Sequence, residues 1–300
     1  MEIIDVICQI PGFNIEGKME KMKMGYRCNV YDSEPDNMLY EWVQSICEEA
    51  IERNNIDVSD IGVIINSSIC LYETTARKNT SAPGIGYHVQ KSLDAKEAFV
   101  FETFYTDWGN MIQIASNFMS KTESNYALLL QTNKFSNALK DHFNGFSIPD
   151  GISIMLLKKS DTSLKLKNYP LMPFVYKKAS FEFNANNKDL LEQDLLFRLQ
   201  WNYDTDVVKE INKQLNEISN SLEKEEIAVF TDSWFKEHRE DNVEKSILSN
   251  AEQKALAMHT IPCNIRKNLR EFKNLEHFAM VSFNPFSFYY SVLKMSKNEN

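Results

Sequence analysis

Residues 98–113 read AFVFETFYTDWGNMIQ. The first part is a strand-type run of aromatic and β-branched residues, and from Asn110 the pattern continues as an apolar helix, so the turn falls at Asp107-Trp108-Gly109. A strand-to-helix corner of this kind is where an α/β enzyme keeps a nucleophile, because the amides and dipole of a helix N-terminus stabilise an anion. Here the corner holds a carboxylate with an indole beside it. Aspartate is at ease there as a cap, but a carboxylate is a weak nucleophile. Two roles stay open: an inert cap, or a general base whose pKa is raised by an apolar pocket containing Tyr105 and Trp108.

Outward from this corner, strand and helix patterns alternate. Met38 to Arg53 places Leu39, Val43, Ile46 and Ala50 on one helical face, with Asp36 as its cap. Strands are predicted at Ile61–Ser67, Tyr126–Gln131 and Gly151–Leu157, and helices at Gly84–Leu93 and Asn110–Met119. The second half repeats the style, with strands at Ser163–Tyr169 and Glu226–Asp232, helices at Asp206–Leu222 and Val243–His259, and two closing strands around Asn284-Pro285. Alternation predicts an α/β fold with parallel pairing and helices on the sheet faces, in two related halves, 1–160 and 161–300.

Composition narrows the function. The chain has 300 residues, 43% apolar and 25% charged, which is ordinary for a globular protein. Its net charge of −9, with basic residues scattered among acids, argues against a nucleic-acid surface. The longest apolar runs are of strand length, which excludes a helical membrane span among them, and the acidic N-terminal MEIIDVICQI lacks a signal peptide's positive start. A cytoplasmic location is expected. Cys8, Cys28, Cys47, Cys70 and Cys263 are odd in number and form no C-x-x-C pair, so reduced, mostly buried thiols are expected, and the five histidines show no metal-binding spacing. None of the nine glycines follows Gly151, and neither a dinucleotide nor a P-loop glycine pattern occurs. No cofactor or metal is expected.

Pieces of the first half fall in a recognisable order. They are the Ile61 strand, a helix with Pro83, Val89, Gln90 and Leu93, the strand ending Phe101-Glu102, Asp107 with Gly109 two residues on, and Asp150-Gly151. This order resembles the N-terminal half of the β-ketoacyl synthase III family of thiolase-fold condensing enzymes. The resemblance implies a thiolase-like fold with a layered αβαβα core, and it puts Asp107 where that family has its nucleophilic cysteine. The family's second-half histidine and asparagine find no match after the strand ending at Asp232, and His238, in a charged run, reads as a solvated side chain. One branch is similar further: the cysteine-less, non-catalytic subunits of heterodimeric alkylquinolone-forming synthases share the run from Ala82 to Phe101, Trp234-Phe235 and the closing Ser282-Phe283 with Pro285-Phe286.

By that resemblance the chain pairs with an active synthase subunit carrying the missing cysteine, histidine and asparagine. An acyl carrier or CoA thioester would come through the partner. Ala98, Val100 and Phe101 would lie at the subunit interface with Tyr72–Asn79 nearby, Pro83, Tyr105 and Trp108 would flank the pocket, and Phe283 and Phe286 would fill substrate space. The alternatives are a stand-alone decarboxylase or hydrolase using Asp107 as base, or a homodimeric binder of an acyl chain or acyl carrier.

Overall fold

The computed structural model describes residues 1–10, 38–68, 84–133, 151–170, 180–184, 198–202, 205–225, 227–232, 234 and 257–297. In chain order the strands are β1 (Glu2–Gln9), β2 (Ile61–Ser68), β3 (Phe99–Phe104), β4 (Tyr126–Asn133), β5 (Gly151–Lys158), β6 (Ser163–Pro170), β7 (Ser180–Asn184), β8 (Arg198–Asn202), β9 (Ala228–Thr231), β10 (His277–Asn284) and β11 (Tyr289–Ser296). The helices are α1 (Met38–Arg53), α2 (Ile85–Ser92), α3 (Trp108–Met119), α4 (Thr205–Glu223), α5 (Thr260–Lys267) and α6 (Leu269–Lys273).

Five strands form one sheet in the order β1-β5-β4-β2-β3, and four form another in the order β6-β11-β10-β9. The pairing directions repeat. In the first sheet β1–β5 and β5–β4 are antiparallel and β4–β2 is parallel; in the second, β6–β11 and β11–β10 are antiparallel and β10–β9 is parallel. The second sheet is thus a copy of the first in which β6, β9, β10 and β11 stand for β1, β2, β4 and β5. Likewise α4 stands for α1, and α5 with α6 stands for α3. Among the described residues, nothing in the second half corresponds to α2 and β3.

Burial follows from this layering. The buried strands β2, β4 and β5 (IGVIINSS, YALLLQTN, GISIMLLK) are covered on both faces and read as continuous apolar runs. On one face of the first sheet, Val43, Ile46, Cys47 and Ala50 of α1 and Ile85 and Val89 of α2 pack against Ile61, Ile64, Leu128 and Ile154. Between the sheets lie Trp108, Met111, Ile112 and Ala115 of α3 with Ile261 and Ile265 of α5 and Phe272 of α6. Beyond the second sheet, Val207 and Ile211 of α4 cover Val229, Val281 and Val292. The order is α1/α2, sheet, α3/α5/α6, sheet, α4, the five-layered arrangement that the resemblance implied.

Three expectations need correction. Pairing is mixed rather than wholly parallel; β10 and β11, for example, are joined by a tight turn at 285–288, and a tight hairpin can only be antiparallel. The helix expected at Val243–His259 lies largely outside the described residues, and its described end is not helical: Ala257 has φ 47° and the helix starts at Thr260. Finally, Cys8 and Cys263 are not free thiols but a disulfide, with Cα atoms 5.5 Å apart across 255 residues of sequence, whereas Cys47 is a buried free thiol. Spacing rules see only local pairs, and this one is made by α5 packing on β1. Strands β1, β7 and β8 and helices α5 and α6 were not anticipated.

Candidate functional site at two helix N-termini

The Asp107 corner is built by its neighbours. Gly109 lies where α3 meets the second sheet, and a Cβ there would come within 3.2 Å of Ser291 Oγ and 3.3 Å of Leu166 Cδ1, so glycine permits the close approach. Asp107 has extended backbone (φ −69°, ψ 162°), as an N-cap requires, and its side chain is fully buried. Oδ1 accepts from the Asn110 amide at 3.0 Å and the Ser291 hydroxyl at 2.5 Å. Oδ2 accepts from Asn110 Nδ2 at 2.8 Å and the Tyr289 hydroxyl at 2.9 Å. Two donors come from α3 and two from β11, so the carboxylate joins the two halves.

The corresponding corner of the second half is occupied by His259, at the N-cap of α5, and it is built differently. Its backbone lies in the right-handed α region as part of a turn (φ −86°, ψ −7°) rather than extended like that of Asp107, it makes no side-chain cap, and its ring is fully buried. Nδ1 lies 2.7 Å from Ser153 Oγ and Nε2 lies 3.2 Å from Asn133 Nδ2. Since an amide NH2 can only donate, Nε2 is the acceptor and Nδ1 carries the proton, which goes to Ser153. Burial pushes the imidazole pKa down to about 3, so the ring is neutral. The left-handed turn at Ala257 precedes Met258, whose carbonyl accepts from Trp108 Nε1 at 2.8 Å. The two corners are therefore in direct hydrogen-bonded contact.

A third buried group completes the region. Asp232 follows β9, is buried, and accepts from the Phe283 amide at 2.9 Å. Burial drives its pKa well above the carboxylate range, against the pull of the Trp234 indole and the Phe283 amide. Tyr105 is raised too, by burial first and then by the charges of Asp232 and Asp107. Tyr289 is raised by burial and by the Asp107 charge. The raised carboxyl of Asp232, the raised phenols of Tyr105 and Tyr289 and the fully hydrogen-bonded side chain of Asp107 make this a structural polar core.

The residues singled out from sequence divide into two groups. Tyr105, Trp108, Phe283 and Phe286 gather around Asp107: Tyr105 donates to the Phe283 carbonyl at 3.4 Å, and its ring lies 5.5 Å from Phe286 and 5.3 Å from Trp234. Ala98, Val100 and Phe101 lie apart, on or beside β3. Ala98 and Val100 are buried against α2 in the chain's own core, while Phe101 packs on Phe99 and Phe118. The large apolar side chains that β3 presents outward are Phe99 (53% exposed) and Phe104 (44%), with Glu102 exposed between them. Glu102 reaches back to the N-terminus of α2, accepting from Asn66 Nδ2 at 2.8 Å and from the Gly86 amide, and a Cβ at Gly84 or Gly86 would collide with its carboxylate. Pro83, Asp36, Ala82, Asp150, Phe235, His238 and residues 72–79 lie outside the described residues. His259, Asp232 and Ser291 were missed; the signal for Ser291 and His259 lay in the repeat of strand order, which local periodicity does not display.

Among the described residues no cluster of three or more His, Cys, Asp or Glu side chains is disposed to hold a metal, and no helix is long and apolar enough to cross a membrane.

No family model and no curated protein matches the chain. Solved structures do. The β-ketoacyl-[acyl carrier protein] synthase III of Thermus thermophilus superposes with a TM-score of 0.67 at 11% identity, covering 100% of both chains. The 3-oxoacyl-[acyl-carrier-protein] synthase III of Aquifex aeolicus VF5 gives 0.59 at 15% identity, over 83% of this chain and 82% of that one. A priming β-ketosynthase from a polyketide biosynthetic pathway gives 0.63 at 12%, over 89% and 84%. At these identities the likeness is one of fold: the chain has a thiolase-like fold of the kind seen in ketoacyl synthase III structures.

Proposed function

We propose that the chain is a catalytically silent, ketoacyl-synthase-III-like subunit that pairs with an active subunit carrying cysteine, histidine and asparagine. The pair would form an acyl-condensing enzyme of secondary-metabolite biosynthesis, making an alkylquinolone-like or a polyketide- or fatty-acid-derived product. The observation that carries this reading is the state of Asp107. A carboxylate has about four acceptor sites, and here the Asn110 amide, Asn110 Nδ2, Tyr289 and Ser291 occupy four of them. A base must offer a free lone pair to substrate. Using Asp107 that way would strand donors from both halves, which disfavours the decarboxylase and hydrolase readings.

Pairing is supported by β3. It is the edge of its sheet among the described residues, and it carries two exposed phenylalanines, while its exposed carboxylate, Glu102, is engaged by Asn66 and the N-terminus of α2. Pocket walls, rather than reacting groups, would be its contribution to the complex.

The test is co-expression with a synthase subunit encoded beside it. A stable heteromer that condenses thioesters is expected, with Asp107→Asn leaving complex activity within a few-fold. Phe99→Lys should abolish assembly while changing the chain's own stability by no more than about 0.5 kcal/mol, as for other exposed sites. Formation and release of an acyl adduct by the purified chain alone would overturn the proposal.

A further inference from the structure

The His259 corner holds a feature that the proposed function does not use. Cys8, on β1 of the first half, is bonded to Cys263 in the first turns of α5, and both are buried. Ser153 Oγ, which receives the His259 Nδ1 proton, lies 3.3 Å from Cys8 Sγ and donates to it. Asn133, His259 and Ser153 thus form a donor relay that ends on one sulfur of the bond. On the other side, the His259 carbonyl lies 3.8 Å from Cys8 Sγ, within reach as an acceptor for a thiol proton. Cys8 therefore has a donor that stabilises a thiolate and an acceptor that satisfies a thiol, so the pocket accommodates both products of reduction.

We propose that Cys8–Cys263 is a redox-operated lock on the N-terminus of α5, and that its state reaches the Asp107 corner through the hydrogen bond from Trp108 to Met258. In opening, a thiolate of a dithiol reductant attacks Cys263 Sγ, the S–S bond breaks, and its electron pair leaves on Cys8 as a thiolate held by Ser153. The second thiol of the reductant then attacks the mixed disulfide and releases Cys263, so the reductant ends as a cyclic disulfide and the protein has gained two electrons. Both cysteine thiolates take protons from solvent or from the departing dithiol. Exchange with a small disulfide such as oxidised glutathione closes the lock by the reverse steps. Burial of both sulfurs makes exchange depend on local opening of α5 from β1, so the lock responds slowly and to sustained redox change. In a reducing compartment the open form is the resting one.

The full-length chain, air-oxidised and then treated or not with dithiothreitol, provides the test. Alkylation under denaturing, non-reducing conditions followed by peptide mass analysis should show residues 8 and 263 in one cross-linked pair, with the three other cysteines alkylated. Reduction should raise amide exchange at least tenfold in 258–267, and should shift the tryptophan emission of the wild type but not of Trp108→Phe. Cys263→Ala should match the reduced wild type without reductant; should that variant not fold, the reduced wild type itself decides. Five alkylated cysteines in the oxidised protein would overturn the lock. So would a confirmed cross-link whose reduction leaves both exchange and emission unchanged. Neither readout involves assembly with a synthase, so failure here is separable from failure of the proposed function.

Discussion

The N-termini of α3 and α5 occupy equivalent places in two copies of one strand order, yet they are stabilised in opposite ways. At the first, a charged side chain sits on the helix dipole and is surrounded by donors from both halves. At the second, a neutral ring makes no cap and is held by hydrogen bonds on both nitrogens. The lesson is that burial of a polar group is tolerated by two routes, pairing of an ion or suppression of the charge, and each leaves a different dependence on pH and mutation. Neither corner presents a reactive group with a free lone pair.

Mutation of the charged corner should have the largest effect. Asp107→Ala leaves the Asn110, Tyr289 and Ser291 donors without their acceptor in a buried site, and should lower unfolding free energy by about 3 kcal/mol, read from the urea midpoint at constant slope. A loss under 1 kcal/mol would mean that water or a neighbour replaces the carboxylate, and the contrast between the corners would weaken.

The neutral corner should respond to acid. Its folded pKa lies below that of the unfolded chain, so the unfolded state gains protons first as pH falls, and stability is lost from about pH 6.5 downward until the folded ring protonates near 3. Between pH 6.5 and 4.5 the loss should be about 2 to 3 kcal/mol at 1.36 kcal/mol per unit. Comparison with His259→Gln isolates it: the variant should show a flatter acid limb in denaturation followed by fluorescence. Equal limbs in the two proteins would mean that the ring is not held neutral.

Asp232 sharpens the picture from the second copy of β2. Because its folded pKa is raised, the folded state keeps a proton that the unfolded state has released, so its contribution declines as pH rises from about 4 towards the folded value. Asp232→Asn keeps an acceptor for the Phe283 amide without the ionisation, and should gain roughly 1 kcal/mol at neutral pH. Destabilisation measured by the same urea titration would show that the carboxyl is instead paired as an anion.

Much of the first half was legible because its signals are local. The strand-to-helix corner, the apolar runs of β2, β4 and β5, and the face of α1 are each set by a few consecutive residues whose period and capping chemistry act alone. Gly109 could be placed beside the corner from sequence, although the reason for it, contact with Ser291 and Leu166, lies more than fifty residues away. The second half was read less well. The stretch MHTIPCNIRK has a proline at its third helical position and carries no strong cap, so α5 was missed and a helix was placed before it. The disulfide and the role of His259 depend on contacts between residues more than a hundred apart.

By itself, the sequence determined an alternating α/β chain with an aspartate at the corner before α3, because residue type and local period are properties of neighbouring positions. Only the tertiary structure decided that this aspartate is filled by four donors, that its counterpart is a neutral histidine, and that β1 is covalently tied to α5. Hydrogen-bond saturation, desolvation and sulfur pairing belong to the space between distant segments, and no linear pattern specifies which segments will share it.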